Sequence, residues 1–369
     1  MIHASVLQLF TEHYGVSSVV AGATHYNSDY FMCDERCEEG GERRFFFEGV
    51  ELFPVSSQTE KVGVQLLELA RKFKPDLIVS IGGMDTAIVQ PIKTLLEGLK
   101  WIAVVSESVT PLPKSMILPF EEADGVIATN FSLATVLDCQ TTMFGPSLGY
   151  SLSEPEYRKE FRVISVLKNL QACNPWAVVE TSRLAKTIVY MHISRYEPGD
   201  YDLKPLSEEP FVSLPQRFVS TEEGYSTIDL KDEYRRSAVV ADLSLQASTG
   251  YSVLQGMRLG CLPLVSKANA IREIVEPLSN FESTFLVECV PLIGTRGEKL
   301  WVADPQDAAN KLLRFKRLKD EDWMYFFYLQ EECQRVSQRY SREAFELELE
   351  SVMVRVQRQS SPRLKLAQI

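Results

Sequence analysis

The chain has 369 residues, 45% of them hydrophobic, with 39 Lys and Arg against 50 Asp and Glu and a formal net charge of −11. That length allows two domains of ordinary size, each with its own core, and that balance withholds the dense cationic footprint of a nucleic-acid-binding protein. No apolar run reaches the length of a membrane span and no basic, apolar leader opens the chain, so a cytoplasmic protein without a spanning segment is expected.

The seven cysteines are odd in number and scattered. Only Cys33 and Cys37 lie close together, with no second pair and too few nearby histidines for zinc, so reduced structural thiols and no metal site are expected.

In chain order, Met1 to His13 has Val6, Leu7 and Phe10 on one face of an amphipathic helix, and a strand over 16–21 follows Gly15. Residues 26–45 are polar, acidic and Gly-bearing, which predicts a loop. Gly49 to Pro54 is a strand. Residues 62–73 form a helix with Arg71 and Lys72 in its last turn, where the dipole favours them. The phrase KPDLIVSIGGMD gives an apolar strand over 77–81 and a Gly82–Gly83 turn. Asp85 then either caps the next helix or, lying at the carboxyl end of a strand, meets an acceptor hydroxyl. A second strand over 101–105 leads into Glu107, which is either a solvated loop carboxylate or a polar group near the chemistry. A third strand spans 123–128.

Residues 151–160 are an acidic linker to a strand over 161–166. A strand over 188–192 ends in His192, read as structural. Residues 196–216 are a polar connection with several prolines, followed by a short strand at 217–219 and a helix over 230–237.

The stretch from 234 to 275 organises the rest. An apolar run over 239–245 has the length of a buried strand. Ser248, Thr249 and Gly250 form a small turn. Residues 251–259 carry Val253, Leu254, Met257 and Leu259 on one helical face. Gly260 is suited to end that helix, and 262–266 is the next strand. The turn sits where a strand ends and a helix begins, where unpaired N–H groups and the helix dipole favour a phosphate or another anion. An ordinary connection in a doubly wound domain is the alternative. Further on, 323–354 is helical with a break around Tyr340 and Ser341. The tail from Gln357, with Arg358, Arg363 and Lys365, is expected to be disordered.

Tyr251, Leu254, Gln255, Gly256, Met257, Gly260, Cys261, Pro263 and Val265, followed by Glu273, Ile274 and Val275, resemble the donor-site helix of glycosyltransferase family 4. That family's run reads S-E-G-F-G-L-x-L-E-A-M-x-x-G-x-P-V-V, then E-I-V. Pro75 and Asp76 resemble its P-D phrase. Gly49 to Pro54, Asn174–Pro175–Trp176 and the strand ending in His192 resemble phrases of its phage and viral branch. The resemblance runs from about Gly49 to Tyr340.

The resemblance implies an α/β chain of the GT-B fold, two Rossmann-like domains with parallel sheets facing across a cleft. Residues 1–150 would be the acceptor-side domain, 151–340 the nucleotide-sugar donor domain, and 341–369 a C-terminal helix and tail, the helix crossing back to the first domain. It implies a retaining, metal-independent transfer from a nucleotide diphosphate sugar to a hydroxyl, with no cofactor. Lys168, Ser248, Thr249, Gly250, Tyr251 and Gln255 would hold the donor, and Asp85 and Glu107 would be the candidate catalytic residues beside the acceptor. That acceptor would be a glycan, a small molecule, a protein or a modified DNA base.

Four positions depart from the family pattern. Gln255 stands at its second glutamate, and the first falls on Ala247 or Ser248. Lys168 replaces an arginine, so a point charge replaces a bidentate fork. The downstream lysine falls near Cys173. The family's opening strand and Gly-rich loop are not found ahead of Gly15. These departures motivate a second reading, a GT-B-like binding or partner subunit without transferase activity. A third, a phage-type enzyme acting on modified DNA bases, rests on the viral phrases and is opposed by the acidic balance.

Overall fold

The computed structural model describes residues 20–24, 35–39, 42–47, 50–56, 59–81, 86–105, 120, 122–130, 133–134, 137, 140–141, 160–167, 171–193, 204–213, 227–246, 250–267, 271–294, 297 and 299–359. Its strands fall into two sets of sheets, one before residue 142 and one after residue 159.

The first set begins with β1 (Val20–Thr24), β2 (Glu35–Glu39), β3 (Glu42–Phe47) and β4 (Val50–Ser56), in the order β1-β4-β3-β2. β1 runs parallel to β4, while β2–β3 and β3–β4 are antiparallel. The loop expected over 26–45 is thus corrected: two strands lie across that stretch and the residues after it. Glu38 stands opposite Arg43 in their register, and Gly40–Gly41 between them is a strong hairpin dipeptide that the surrounding charge disguised. The first strand also sits later than expected, starting within the described residues at Val20.

Helix α1 (Thr59–Phe73) leads to β5 (Leu77–Ile81), α2 (Thr86–Leu95), β6 (Lys100–Val105), β7 (Gly125–Ala128) and β8 (Gln140–Thr141), and β5-β6-β7-β8 is a parallel sheet. β6 is buried from Trp101 to Val105, as a strand covered on both faces must be. The Trp101 indole N–H finds a partner inside, donating to Ser80 Oγ at 2.8 Å. Asp124 ties the sheet's edge together, accepting from the Trp101 backbone N–H at 2.8 Å and from Lys93 Nζ at 3.0 Å. Burial would raise this carboxyl's pKa, but those donors outweigh it and hold it below its ordinary value.

The second set is a six-stranded parallel sheet. Its elements are β9 (Glu160–Leu167), α3 (Pro175–Ala185), β10 (Val189–Ile193), α4 (Lys204–Ser207), β11 (Val212–Ser213), α5 (Thr227–Arg236), β12 (Ser237–Asp242), α6 (Tyr251–Arg258), β13 (Leu262–Ser266), α7 (Arg272–Val275), α8 (Glu282–Phe285) and β14 (Leu286–Val287). The strand order is β11-β10-β9-β12-β13-β14. Read from β9 as first strand this is 3-2-1-4-5-6, the doubly wound order. The polar connection expected over 196–216 is corrected here too, since it contains α4 and the edge strand β11. Val189 N–H donates to Phe211 O at 2.9 Å and recruits that edge. The strand expected at 217–219 lies outside the described residues.

Beyond the sheet, β15 (Cys289–Ile293) and β16 (Lys299–Ala303) form an antiparallel ribbon. Helix α9 (Pro305–Glu321) starts on Asp304, whose side chain accepts from Gln306 N–H, with Pro305 at the first helical position. Helix α10 (Trp323–Ser337) ends in a single 3-10 turn over Gln338–Tyr340, and extended Ser341 precedes α11 (Arg342–Gln359). The expected break is therefore found, but the expected disordered tail is not: the helix continues through Gln357, Arg358 and Gln359.

Helix α11 packs on β7 of the first set. A Cβ built on Gly125 would lie 3.0 Å from Val356 Cγ2 and 3.3 Å from Val352 Cγ1, and both valines are buried. No helix among the described residues is long and apolar enough to cross a membrane.

Candidate functional site

In a 3-2-1-4-5-6 sheet the chain reverses direction at one place, here between β9 and β12. The crevice outside the carboxyl ends of those two strands is where ligands of such sheets bind. In sequence, β9 is followed directly by Lys168, and β12 leads through residues 243–249 to α6. The fold thus puts the starts of both donor-side segments at one end of the sheet.

Helix α6 is held there from three directions. At its N-terminus Gly250 is left-handed, with φ +59, and a Cβ on it would lie 2.4 Å from Ile274 Cδ1 and 2.7 Å from Ile271 Cγ1. Only glycine satisfies both that backbone and that contact. At mid-helix, a Cβ on Gly256 would lie 2.7 Å from both Cβ and Cγ1 of Val240, so the helix rides directly on β12. At its C-terminus Gly260, at φ +76, forms a Schellman motif: Cys261 N–H donates to Gly256 O at 2.8 Å and Gly260 N–H to Met257 O at 3.0 Å. Two buried glutamines one turn apart on α10 complete that end. Gln330 Nε2 donates to Gly260 O, and Gln334 Nε2 donates to Arg258 O at 3.0 Å.

The floor beneath α6 carries two titratable groups. Val240 faces α6, so Asp242 two residues on shares its face. The Asp242 carboxylate accepts from the N–H and hydroxyl of Ser244 and from the Ser252 hydroxyl at the start of α6. Burial raises its pKa, and those hydrogen bonds only partly oppose that. Val240 pairs with Ile164, which sets Asp242 beside Val166, and Val166 pairs with His192. His192, Val166 and Asp242 therefore form one row across three strands, with the outer two about 10 Å apart at Cα. Burial lowers the His192 imidazole to about 4. Burial thus favours the neutral form of both groups.

Of the residues singled out by sequence, Gly250, Tyr251 and Gln255 are described, and all three lie on the opening turns of α6. Asp85, Glu107, Lys168, Ser248 and Thr249 lie outside the described residues. Asp242, Ser252 and the glycine contact at Gly256 were not singled out from sequence as parts of the site. His192, read as structural, stands on the same floor as Asp242. Among the described residues, no group of three or more His, Cys, Asp or Glu side chains is placed to hold a metal ion.

The sequence matches no protein-family model and no curated protein. Its structure resembles several solved ones. HepE of Anabaena in complex with UDP and glucose superposes with a TM-score of 0.60 at 12% identity, over 83% of this chain and 86% of that one. Sucrose-phosphate synthase from Thermosynechococcus elongatus gives 0.65 at 13% identity, over 97% and 94%. AviGT4, a glycosyltransferase involved in avilamycin A biosynthesis, gives 0.59 at 11% identity, over 97% and 88%. Together with its own parallel α/β sheets, these likenesses give the chain the GT-B fold.

Proposed function

We propose that the chain is a retaining glycosyltransferase of the family 4 type, moving a sugar from a nucleoside diphosphate donor to a hydroxyl. The observation that carries this reading is the corner itself: the first turn of α6, opened by left-handed Gly250, at the switch point of a doubly wound sheet. Unpaired N–H groups at such a helix start, with the positive end of its dipole, complement a diphosphate. HepE, solved with UDP and glucose, and the pneumococcal O-GlcNAc transferase GtfA, solved with UDP and GlcNAc, support a nucleotide-sugar ligand.

In this reading residues 151–340 hold the donor, residues 1–150 offer the acceptor, and residues 341–369 are the crossing helix and tail. Lys168 supplies a point charge to the diphosphate, next to the Ser248–Tyr251 turn, and Gln255 offers an amide to the sugar. The helix terminus and the lysine stabilise the negative charge that builds on the departing diphosphate, with no cofactor required. Asp85 and Glu107 lie on the acceptor side. The rest of the rate comes from holding the two substrates in line.

Calorimetry of the full chain against UDP, GDP, ADP and their sugars tests this. A Lys168→Ala, Ser248→Ala double variant is expected to lose binding, and unchanged affinity would reject the site. The second reading, a partner subunit, is favoured by Gln255, Ala247 and Cys173, which stand where the family carries charged side chains. Silence across the nucleotide panel, with a stable complex to another protein, would establish it instead.

A further inference from the structure

Tyr251 is the first residue of α6 and directly follows the left-handed Gly250. Its ring is half-buried, and its hydroxyl oxygen is fully shielded yet has no hydrogen-bond partner among the described residues. Leaving a buried hydroxyl unsatisfied is costly, so native proteins rarely keep one without a use. Helical Cα–Cβ bonds tilt toward the N-terminus, so a first-turn side chain leans over the open end of its own helix. For Tyr251 that is the end facing the carboxyl termini of the strands.

The other side chains of this turn are already engaged. Ser252 is spent on Asp242, and Val253 and Leu254 are buried in the core. That leaves the phenol as the donor of this turn without a protein acceptor.

We propose that the Tyr251 hydroxyl donates a hydrogen bond to a diphosphate oxygen of the nucleotide donor, making it a specificity-determining residue for the phosphate and not for the base. The inference rests on the donor reading above. Burial pushes the phenol well above its ordinary pKa, so it keeps its proton, and its role as donor, across the physiological range. A hydrogen bond from a neutral hydroxyl to a charged phosphate oxygen is stronger than one to a neutral acceptor.

The test uses Tyr251→Phe, which removes one oxygen and leaves the ring. Calorimetry with UDP, inorganic pyrophosphate and uridine is paired with thermal unfolding of the ligand-free protein. Affinity for UDP and pyrophosphate should weaken about tenfold or more, uridine should be unaffected, and the ligand-free melting temperature should stay or rise. UDP affinity within twofold of wild type overturns the inference. So does a fall in ligand-free melting temperature, because that marks a hydroxyl used by the protein itself. A loss confined to uridine moves the contact to the base and overturns the phosphate assignment. Wild-type protein that binds none of UDP, GDP, ADP or pyrophosphate removes the donor reading and this inference with it. Wild-type binding with an indifferent phenylalanine variant removes this inference alone.

Discussion

Replacing Gly250 with alanine tests whether the backbone at the head of α6 is as constrained as its surroundings require. The new Cβ meets Ile274 Cδ1 at 2.4 Å and Ile271 Cγ1 at 2.7 Å, from a residue held at φ +59. A left-handed non-glycine residue costs about 1–2 kcal/mol, and forcing a carbon into a filled core adds about 1–3 kcal/mol. A net loss of about 3 kcal/mol is expected. At roughly 2–4 °C per kcal/mol for a unit of 150–250 residues, the melting temperature should fall by about 6–12 °C. Because Ile274 Cδ1 makes the shortest contact, Ile274→Val removes that atom and should relieve part of the loss. Alone it should cost about 0.5–1.5 kcal/mol, and the double variant should be better than additive by about 1 kcal/mol. Thermal unfolding of the four proteins gives the cycle. A Gly250→Ala protein melting within 1 °C of wild type (an arbitrary, flagged margin of about measurement error), or strict additivity, would refute the packing and strain described for this corner.

Two further outcomes follow from the same geometry. Gly256→Ala sets a Cβ 2.7 Å from Val240 Cβ, so overpacking of about 1–3 kcal/mol should outweigh the roughly 1 kcal/mol gain in helix propensity. The same exchange at Gly63 in α1, where a Cβ meets nothing within 4 Å, should stabilise by about 0.5–1 kcal/mol. Opposite signs from the two in urea unfolding are the check. His192 has a folded pKa lowered to about 4 from 6.5. The unfolded chain therefore binds the extra proton first, and the stability from the neutral imidazole is full above pH 6.5 and is lost as pH falls toward 4. Up to about 3 kcal/mol is at stake. His192→Gln should flatten the wild-type decline over that window in a pH series of denaturation curves.

The parallel strands were legible because they are buried on both faces. Leu77–Ile81 and Leu262–Ser266 are short apolar runs flanked by turn residues, and both were found with their boundaries intact. Gly260 carried its own signal, since a glycine after an amphipathic run is how helices end. The β2–β3 pair was missed because charge outweighed the Gly-Gly hairpin cue.

The strand expected over 239–245 stops at Asp242 because that carboxylate turns back to accept the Ser244 N–H, an Asx turn that ends the extended backbone. An aspartate two residues before a serine was the available hint, hidden inside an apolar phrase. The close approach at Gly256 had no signal of its own, because the sequence does not show what lies across a helix from a glycine. The row from His192 to Asp242 depends on registers among three strands far apart in the chain, which no local pattern encodes.

The seat of α11 on β7 has a practical corollary for anyone dividing this protein. A fragment ending near residue 150 would uncover the surface around Gly125 that Val352 and Val356 now cover. Such a half should aggregate or stick to hydrophobic dyes when produced by itself, and a synthetic peptide spanning 342–359 should restore its solubility. The last helix is in this sense a detachable lid for the opposite end of the polypeptide, and a split reporter or an inhibitor could be built around it.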